Sequence, residues 1–352
     1  MRKILKIAGN ELRALFCSPV AWFILVIFAV QAGMTFTDLF KSVLRQQFMG
    51  EPIEFSITNA LLTGMTGTFT VIQQYLYLYV PLLTMGLMSR EFGSGSIKLL
   101  YSSPVTAGQI IWGKFLSMMI YGLILMGVLL VLVIFASCTV EAFDIPAALS
   151  GLLGLYLLTC AYAAIGLYMS CLTSYQVVAA VATLSALAFF NYVGEIGQES
   201  LFFRDITYWL SIKGRASEMV GGLICSDDVI YFLSVILLFL WLSVIKLNNE
   251  RKRLSFSVKT LRYVLAVCVI VLIGFISSQP AFMSFYDATR SKQRTLSKES
   301  QKVMKQLTGP LTITTYVDIF DEEFDVASPR GQKKDLARFK MYTRFKPEIK
   351  MK

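Results

Sequence analysis

The 352-residue sequence contains no histidine. That absence removes Ser-His-Asp triads, H-E-x-x-H zinc sites and histidine proton relays together. Charge is also scarce, with Asp, Glu, Lys and Arg making up 16% of residues, against about 25% in an ordinary soluble domain. No C-x-x-C pair occurs among Cys17, Cys138, Cys160, Cys171, Cys225 and Cys268. Most of these lie in apolar runs and read as small packing residues rather than metal ligands. Disordered, coiled-coil and disulfide-scaffold classes are excluded by the same composition.

What is abundant is apolar sequence: 55% hydrophobic residues and a mean hydropathy of +0.61. The length suggests two or three units. A bilayer core of ~30 Å needs about 20 apolar residues per helix. Seven stretches meet that need, near 20–37, 67–88, 115–138, 147–170, 176–195, 229–247 and 261–279. The first lacks a small-residue cleavage site before Asp38 and is kept as a span. With the N-terminus in the cytoplasm, 13 of the 18 Lys and Arg before residue 281 fall inside and 11 of 14 Asp and Glu fall outside. The positive-inside rule therefore orients the chain with a cytoplasmic N-terminus and puts residues 281–352 outside. Those residues hold 15 Lys and Arg and 9 Asp and Glu, so they supply much of the net charge of +10. No recognition helix or aromatic-basic platform accompanies the charge, so no nucleic-acid partner is expected.

Residues 1–19 read as an amphipathic helix in the cytoplasmic interface. Ile4, Leu5, Ile7, Ala8, Leu12, Leu15 and Phe16 share one face, and Arg2, Lys3, Lys6 and Arg13 ring the other. Ser18-Pro19 ends it and restarts the chain as a span. Residues 38–66 read as an external loop, with a short re-entrant or surface helix at Leu61 and Leu62. Phe202, Phe203, Tyr208 and Trp209 read as a membrane-anchoring helix at the outer interface. Gly151, Gly154, Ala163, Gly166, Ala179, Ala182 and Ala186 permit close helix approach, within one subunit or at a dimer seam. Gln73 and Gln74 lie deep in the second span, where polar groups face protein or a water-filled path. They are candidates both for a substrate path and for interhelical hydrogen bonds. Cys138 and Cys225 fall on the same expected outer side, and their pairing is left open.

Residues 248–260 form a cytoplasmic linker that separates the six-span unit 20–247 from a seventh span at 261–280. In the tail, Ser297 can cap a helix through Leu307. Leu311 to Val317 alternates like a strand, residues 333–345 look helical, and the chain stops at what reads as another strand. These pieces are too few for a core of their own. The fold class is an all-α polytopic membrane protein with a partial extracytoplasmic α/β segment.

The segment 89–114 mixes a charged pair, Arg90 and Glu91, a Gly-rich turn, a short helix around Ile97 to Tyr101 and a Ser-Pro break. A short helix at a membrane face is shaped to dock into a groove on a soluble partner. G-S-G-S is not a phosphate loop: it lacks G-x-x-x-x-G-K-[ST] and follows no strand. No nucleotide or other cofactor site is expected in this chain.

This segment resembles the cytoplasmic loop of type-two ABC exporter permeases, E-x-x-x-G-T-x-E-x-L-L-x-[ST]-P-[VI]-x-x-x-x-[IV]-x-x-G-K. Glu91, Gly95, Ser96, Leu99, Leu100, Ser103, Pro104, Val105, Gly113 and Lys114 stand at matching positions. Ser96 replaces the usual Thr, and Lys98 the usual acid. Ser170 to Ala180 and Gly221 to Leu233 resemble permeases of bacterial gliding-motility-type ABC systems. The tail from Arg290 to Val317 resembles the start of their auxiliary extracytoplasmic subunit.

The resemblance implies a permease without catalytic residues in the bacterial inner membrane, fused to a truncated auxiliary subunit. ATP would be bound by a separate ABC ATPase dimer, and a second permease copy or a related permease would complete the pore. Leu99, Leu100 and Pro104 are the expected docking contacts, with Arg90 and Glu91 as a charged rim. A mechanical subunit that relays ATPase motion to the external tail is the alternative. A secondary transporter fits less well, because the spans are nearly charge-free and show no repeat.

Overall fold

The computed structural model describes residues 2–50, 56–195, 207, 210–251, 255–277, 284–290, 292, 294–296, 298–306, 312–313, 339, 342 and 350–351. The protein is an all-α polytopic membrane protein with minimal sheet. Helix α1 covers Arg2–Phe16 and α2 covers Pro19–Phe48. Ser18 caps α2 by accepting from the Val20 amide, and Pro19 opens it, where a missing N–H costs nothing. Helix α2 runs eleven residues past the expected end of the first span, because Lys41, Arg45 and Gln46 are tolerated once the helix leaves the apolar zone. The loop expected to be external is correspondingly shorter. Within it, a π-helical turn at Asn59–Thr63 buries Leu61 and Leu62 completely, so of the two expected placements, re-entrant or surface, the surface one does not hold.

Helix α3 (Thr68–Thr84) carries Pro81 in its last turn and stops there. The chain bends through Met85–Met88 into α4 (Ser89–Ser94) and α5 (Ile97–Ser102). Helix α6 (Ala107–Thr139) begins with a reciprocal capping box between Thr106 and Gln109. Helix α7 (Ile145–Leu172) begins at Asp144, whose carboxylate accepts from the Ala147 amide, with Pro146 in the first turn. Helices α8 (Gln176–Tyr192) and α9 (Ile212–Val220) follow, then strand β1 (Leu223–Cys225) and α10 (Ser226–Arg251). Helix α11 (Phe256–Ser277), strand β2 (Phe285–Asp287), helix α12 (Lys298–Gln306) and strands β3 (Thr312–Ile313) and β4 (Lys350–Met351) complete the described elements.

Among the described residues, six helical segments are long and apolar enough to cross a membrane: α2, the stretch Asn59–Ser94 around α3, α6, α7, α10 and α11. The expected fifth span is the shorter α8, with 17 residues or about 25 Å of rise. It tightens into a 3₁₀ turn at Val193–Glu195.

Helix α7 is the axis of the bundle. Its small residues admit neighbours that a larger side chain would hold off. A Cβ at Gly151 would meet Phe69 at 2.6 Å, one at Gly154 would meet the Met219 Cβ at 2.8 Å, and one at Gly166 would meet Thr84 Oγ1 at 2.2 Å. The small-residue stripe of α7 therefore serves packing inside this subunit. Peripheral helices instead turn Phe23, Val26, Val131, Ile134 and Leu272 outward, as a lipid-facing surface requires.

The tail returns to the bundle. Strand β2 pairs antiparallel with β1, with Leu223 opposite Asp287 and Cys225 opposite Phe285. Strands β3 and β4 pair parallel. Cys138 is exposed and Cys225 is buried. The expected aromatic cluster at 202, 203, 208 and 209 and the cap at 297 lie outside the described residues, as does most of 333–345.

Candidate functional site

At one end of the bundle the segment Ser89 to Lys114 is built as a fixed strut. The expected Gly-rich turn is mostly helix: α4 includes Gly93 and Ser94 and ends at Gly95. Gly95 has φ +73°, the left-handed cap conformation that only glycine adopts without strain. Ser94 and Ser96 share a hydroxyl contact of 2.9 Å across that cap. Helix α5 follows, and Ser103 closes it by donating to the Leu100 carbonyl at 2.8 Å.

The bend before α4 is held by Ser170 of α7. Its hydroxyl accepts from the amides of Met88 (2.9 Å) and Ser89 (3.0 Å) and donates to the Met85 carbonyl (2.9 Å). The two amides would otherwise be orphaned and buried by the broken helix.

The centre of the strut is ionic. Lys114, on the second turn of α6, is 1% exposed and donates to Glu11 Oε1 at 2.6 Å and to Glu91 Oε1 at 2.7 Å. Arg90 adds a 3.5 Å pair to Glu11. One ammonium thus ties α1, α4 and α6. An ammonium this buried requires opposite charge and hydrogen bonds around it, and the two carboxylates provide both. The neighbouring Gly113 lets α1 approach, since a Cβ there would meet Ile7 Cγ2 at 2.7 Å and the Ile4 carbonyl at 3.2 Å. Glu91 Oε2 is buried with no hydrogen-bond partner.

Further ties hold α5. Lys3 Nζ donates to the Pro104 carbonyl at 2.7 Å, and Arg251 donates to the Tyr101 carbonyl at 3.0 Å. The Tyr101 hydroxyl reaches Glu250 at 3.5 Å. Burial, reinforced by the Glu250 charge, pushes the Tyr101 phenol up to about 12. Ile97, Leu100, Tyr101 and Val105 pack against the bundle, whereas Leu99 stands 74% exposed between exposed Lys98 and Ser102. Pro104 is exposed as well.

Of the residues the sequence points to, Arg90, Glu91, Gly95, Ser96, Leu99, Leu100, Ser103, Pro104 and Val105 are brought together in this strut. Glu91 is not rim but interior, and Leu100 faces the bundle more than the outside. Sequence reasoning missed Glu11, Lys3 and Ser170. Glu11 had a signal: it lies four residues after Ile7 and three after Ala8, an acid on the face that buries. Ser170 had none, because its partners are main-chain groups 81 and 82 residues away.

Gln73 and Gln74 separate. Gln73 is buried and donates to the Lys213 carbonyl and Ser217 hydroxyl, each at 3.0 Å, binding α3 to α9. Gln74 is exposed and lines a cavity of about 320 Å³ with Tyr77, Asn191, Tyr192 and Lys213. Near β1, the side chains of Glu218, Cys225 and Asp228 converge within 4.8 Å. The cation of that corner is Arg215, which is 2.9 Å from Asp228 and 3.4 Å from Asp227, with its guanidinium 4.5 Å from the Tyr231 ring centre.

A family model described as ABC-2 family transporter protein matches residues 5–199. That covers more than half of the chain, so the protein belongs to this family. It is a multi-pass membrane permease of the ABC transporter type, and the family implies an ABC ATPase as its partner. No curated protein matches the chain.

Proposed function

We propose that this ABC-2 family transporter protein couples ATP hydrolysis by a separate ATPase dimer to export across the bacterial inner membrane. The observation that carries the reading is the strut: α5 exposes Leu99, while its Tyr101 carbonyl is fastened to α10 and the Pro104 carbonyl just beyond it to α1. A helix fastened this way passes on force instead of absorbing it. ATPase closure pushing on Leu99 moves α4, and Lys114 carries that displacement into α1 and α6. Rigid-body motion of packed elements is an ordinary switching mode. The N-terminus and α5 face the cytoplasm in this reading, as the 13 inner Lys and Arg require. The permease is of the gliding-motility type, fused to the start of its auxiliary subunit, and a second permease copy or a related permease completes the path. The cavity at Gln74 lies on that path. The chain itself supplies no catalytic group and holds no nucleotide.

Co-expression with the ATPase tests this. L99D is expected to reduce co-purification at least tenfold while the membrane protein stays monodisperse. Retention of the ATPase by L99D, or labelling of a cysteine at position 98 only from outside the cell, overturns the reading.

A second reading, a relay that moves the tail without transport, is favoured by one feature. Strand β2 is hydrogen-bonded to β1 at the foot of α10, so motion of α10 carries the tail with it. ATP-dependent solute flux into inside-out vesicles would exclude pure relay, and ATPase-driven tail motion without flux would select it.

A further inference from the structure

The end of the bundle opposite the strut holds a cavity of about 530 Å³ with walls from four places in the chain. The chain leading into and opening the π-helical turn contributes Ser56, Thr58 and Asn59, the stretch just before α7 contributes Glu141 and Asp144, and Gly221 forms part of the floor. The last wall is the tail, through Thr289, Arg290 and Arg294.

Asp144 fastens these walls to one another. Its amide donates to Thr58 Oγ1 at 2.9 Å, its Oδ1 accepts from the Ala147 amide at 3.3 Å, and its Oδ2 accepts from the Arg290 amide at 2.6 Å. Asp287 shapes the tail turn in the same way, accepting from the amides of Thr289 and Arg294 and the hydroxyls of Thr289 and Thr295. Both carboxylates are thus occupied by donors of the fold.

The two guanidinium groups are not. Among the described residues, neither the Arg290 nor the Arg294 side chain has a hydrogen-bonded or ionic partner. The Arg294 guanidinium lies over Gly221, where a Cβ would meet Nη2 at 2.6 Å. The bare glycine gives that side chain room at the cavity floor. Two unpaired forks of donors beside hydroxyl and amide groups suit a doubly hydrogen-bonding oxyanion. Among the described lining residues, Glu141 is the one acid whose carboxylate the fold leaves unused, and its exposed side chain sets an opposite charge at the cavity.

We propose that this seam between permease and tail is a binding site for a phosphate ester, held by Arg290 and Arg294 and assembled only when the tail docks on β1. The ester comes either from the headgroup of an anionic phospholipid or from a soluble phosphomonoester. The site is independent of the coupling role assigned to the strut.

The test uses the full chain in detergent, titrated by microscale thermophoresis with glycerol 3-phosphate and with dihexanoyl phosphatidylglycerol. R290Q/R294Q is expected to weaken binding at least tenfold, and E141Q to tighten it about threefold. Equal binding of both probes identifies a soluble ligand, and binding of the lipid alone identifies a headgroup. Both arginine side chains are exposed and bond nothing in the fold, so an unchanged melting temperature is expected for R290Q/R294Q. R290K/R294K, which keeps the charge and loses the forks, is expected to fall between. Binding of neither probe, or binding that R290Q/R294Q leaves unchanged, overturns the proposal.

Discussion

Two corners of the molecule are built from the same parts, one buried cation and two carboxylates, and they differ in what they join. Lys114 meets Glu11 and Glu91, which lie 103 and 23 residues away on different helices. Arg215 meets Asp227 and Asp228 only 12 and 13 residues along, across the β1 turn. The first cluster stitches α1 and α4 to α6, and the second braces one local corner between α9 and α10. Lysine offers a compact charge that three elements can surround. Arginine offers a planar fork that also stacks on Tyr231. A buried ion pair adds little net stability against a well-packed apolar replacement, but removing one partner is costly. In the proposed coupling Lys114 would pass motion between α1, α4 and α6, whereas Arg215 ties only neighbouring elements of one corner.

The strongest way to break that contrast is at Lys114. K114A leaves two carboxylates facing each other in a buried site and is expected to cost about 3–5 kcal/mol, read as a drop in melting temperature and yield. The neutral triple variant K114M/E11Q/E91Q is expected to recover most of that stability but not ATPase stimulation. Restored stimulation would mean that packing, not the ionic tie, carries the coupling.

Next comes Arg215. R215M is expected to cost about 2–4 kcal/mol, because Asp227 and Asp228 lose their charge partner. ATPase co-purification is expected to persist, since the corner is remote from α5. Loss of the ATPase from a folded R215M protein would erase the distinction between the two clusters.

The smallest effect is expected at Tyr101, at the edge of the strut. Y101F removes a long hydrogen bond to Glu250 and should cost less than about 1 kcal/mol. Its sharper signature is in pH. The phenol rises from 10.0 to about 12 in the fold. It therefore favours the folded state fully below pH 10.0, and that contribution is lost as pH climbs through about 12. The difference in melting temperature between the native protein and Y101F is expected to shrink over that window. A difference that stays constant would show that burial and the Glu250 charge do not hold the phenol protonated in the fold.

Much of the strut was legible before folding. Ser103 and Pro104 mark a break by their own backbone preferences, and Gly113-Lys114 closes the motif that resembles the family pattern, whereas the expected Gly-rich turn is mostly helix capped at Gly95. The role of Glu91 was not legible as a rim charge, because its neighbours in the sequence are not its partners in space. The extension of α2 to Phe48 was also missed. Hydropathy marks where a span leaves lipid, whereas a helix ends only where capping or a turn stops it.

The sequence by itself determined the class: long apolar runs demand a bilayer, their number sets a polytopic bundle, and the spread of Lys and Arg predicts an orientation. These are sums over neighbouring residues, so they need no coordinates. Only the tertiary structure decided that Lys114 is a three-way tie, that Ser170 holds the bend, and that the tail pairs with β1 to close a cavity. Each of those depends on groups brought together from distant positions, and burial makes such contacts obligatory only once the helices have packed.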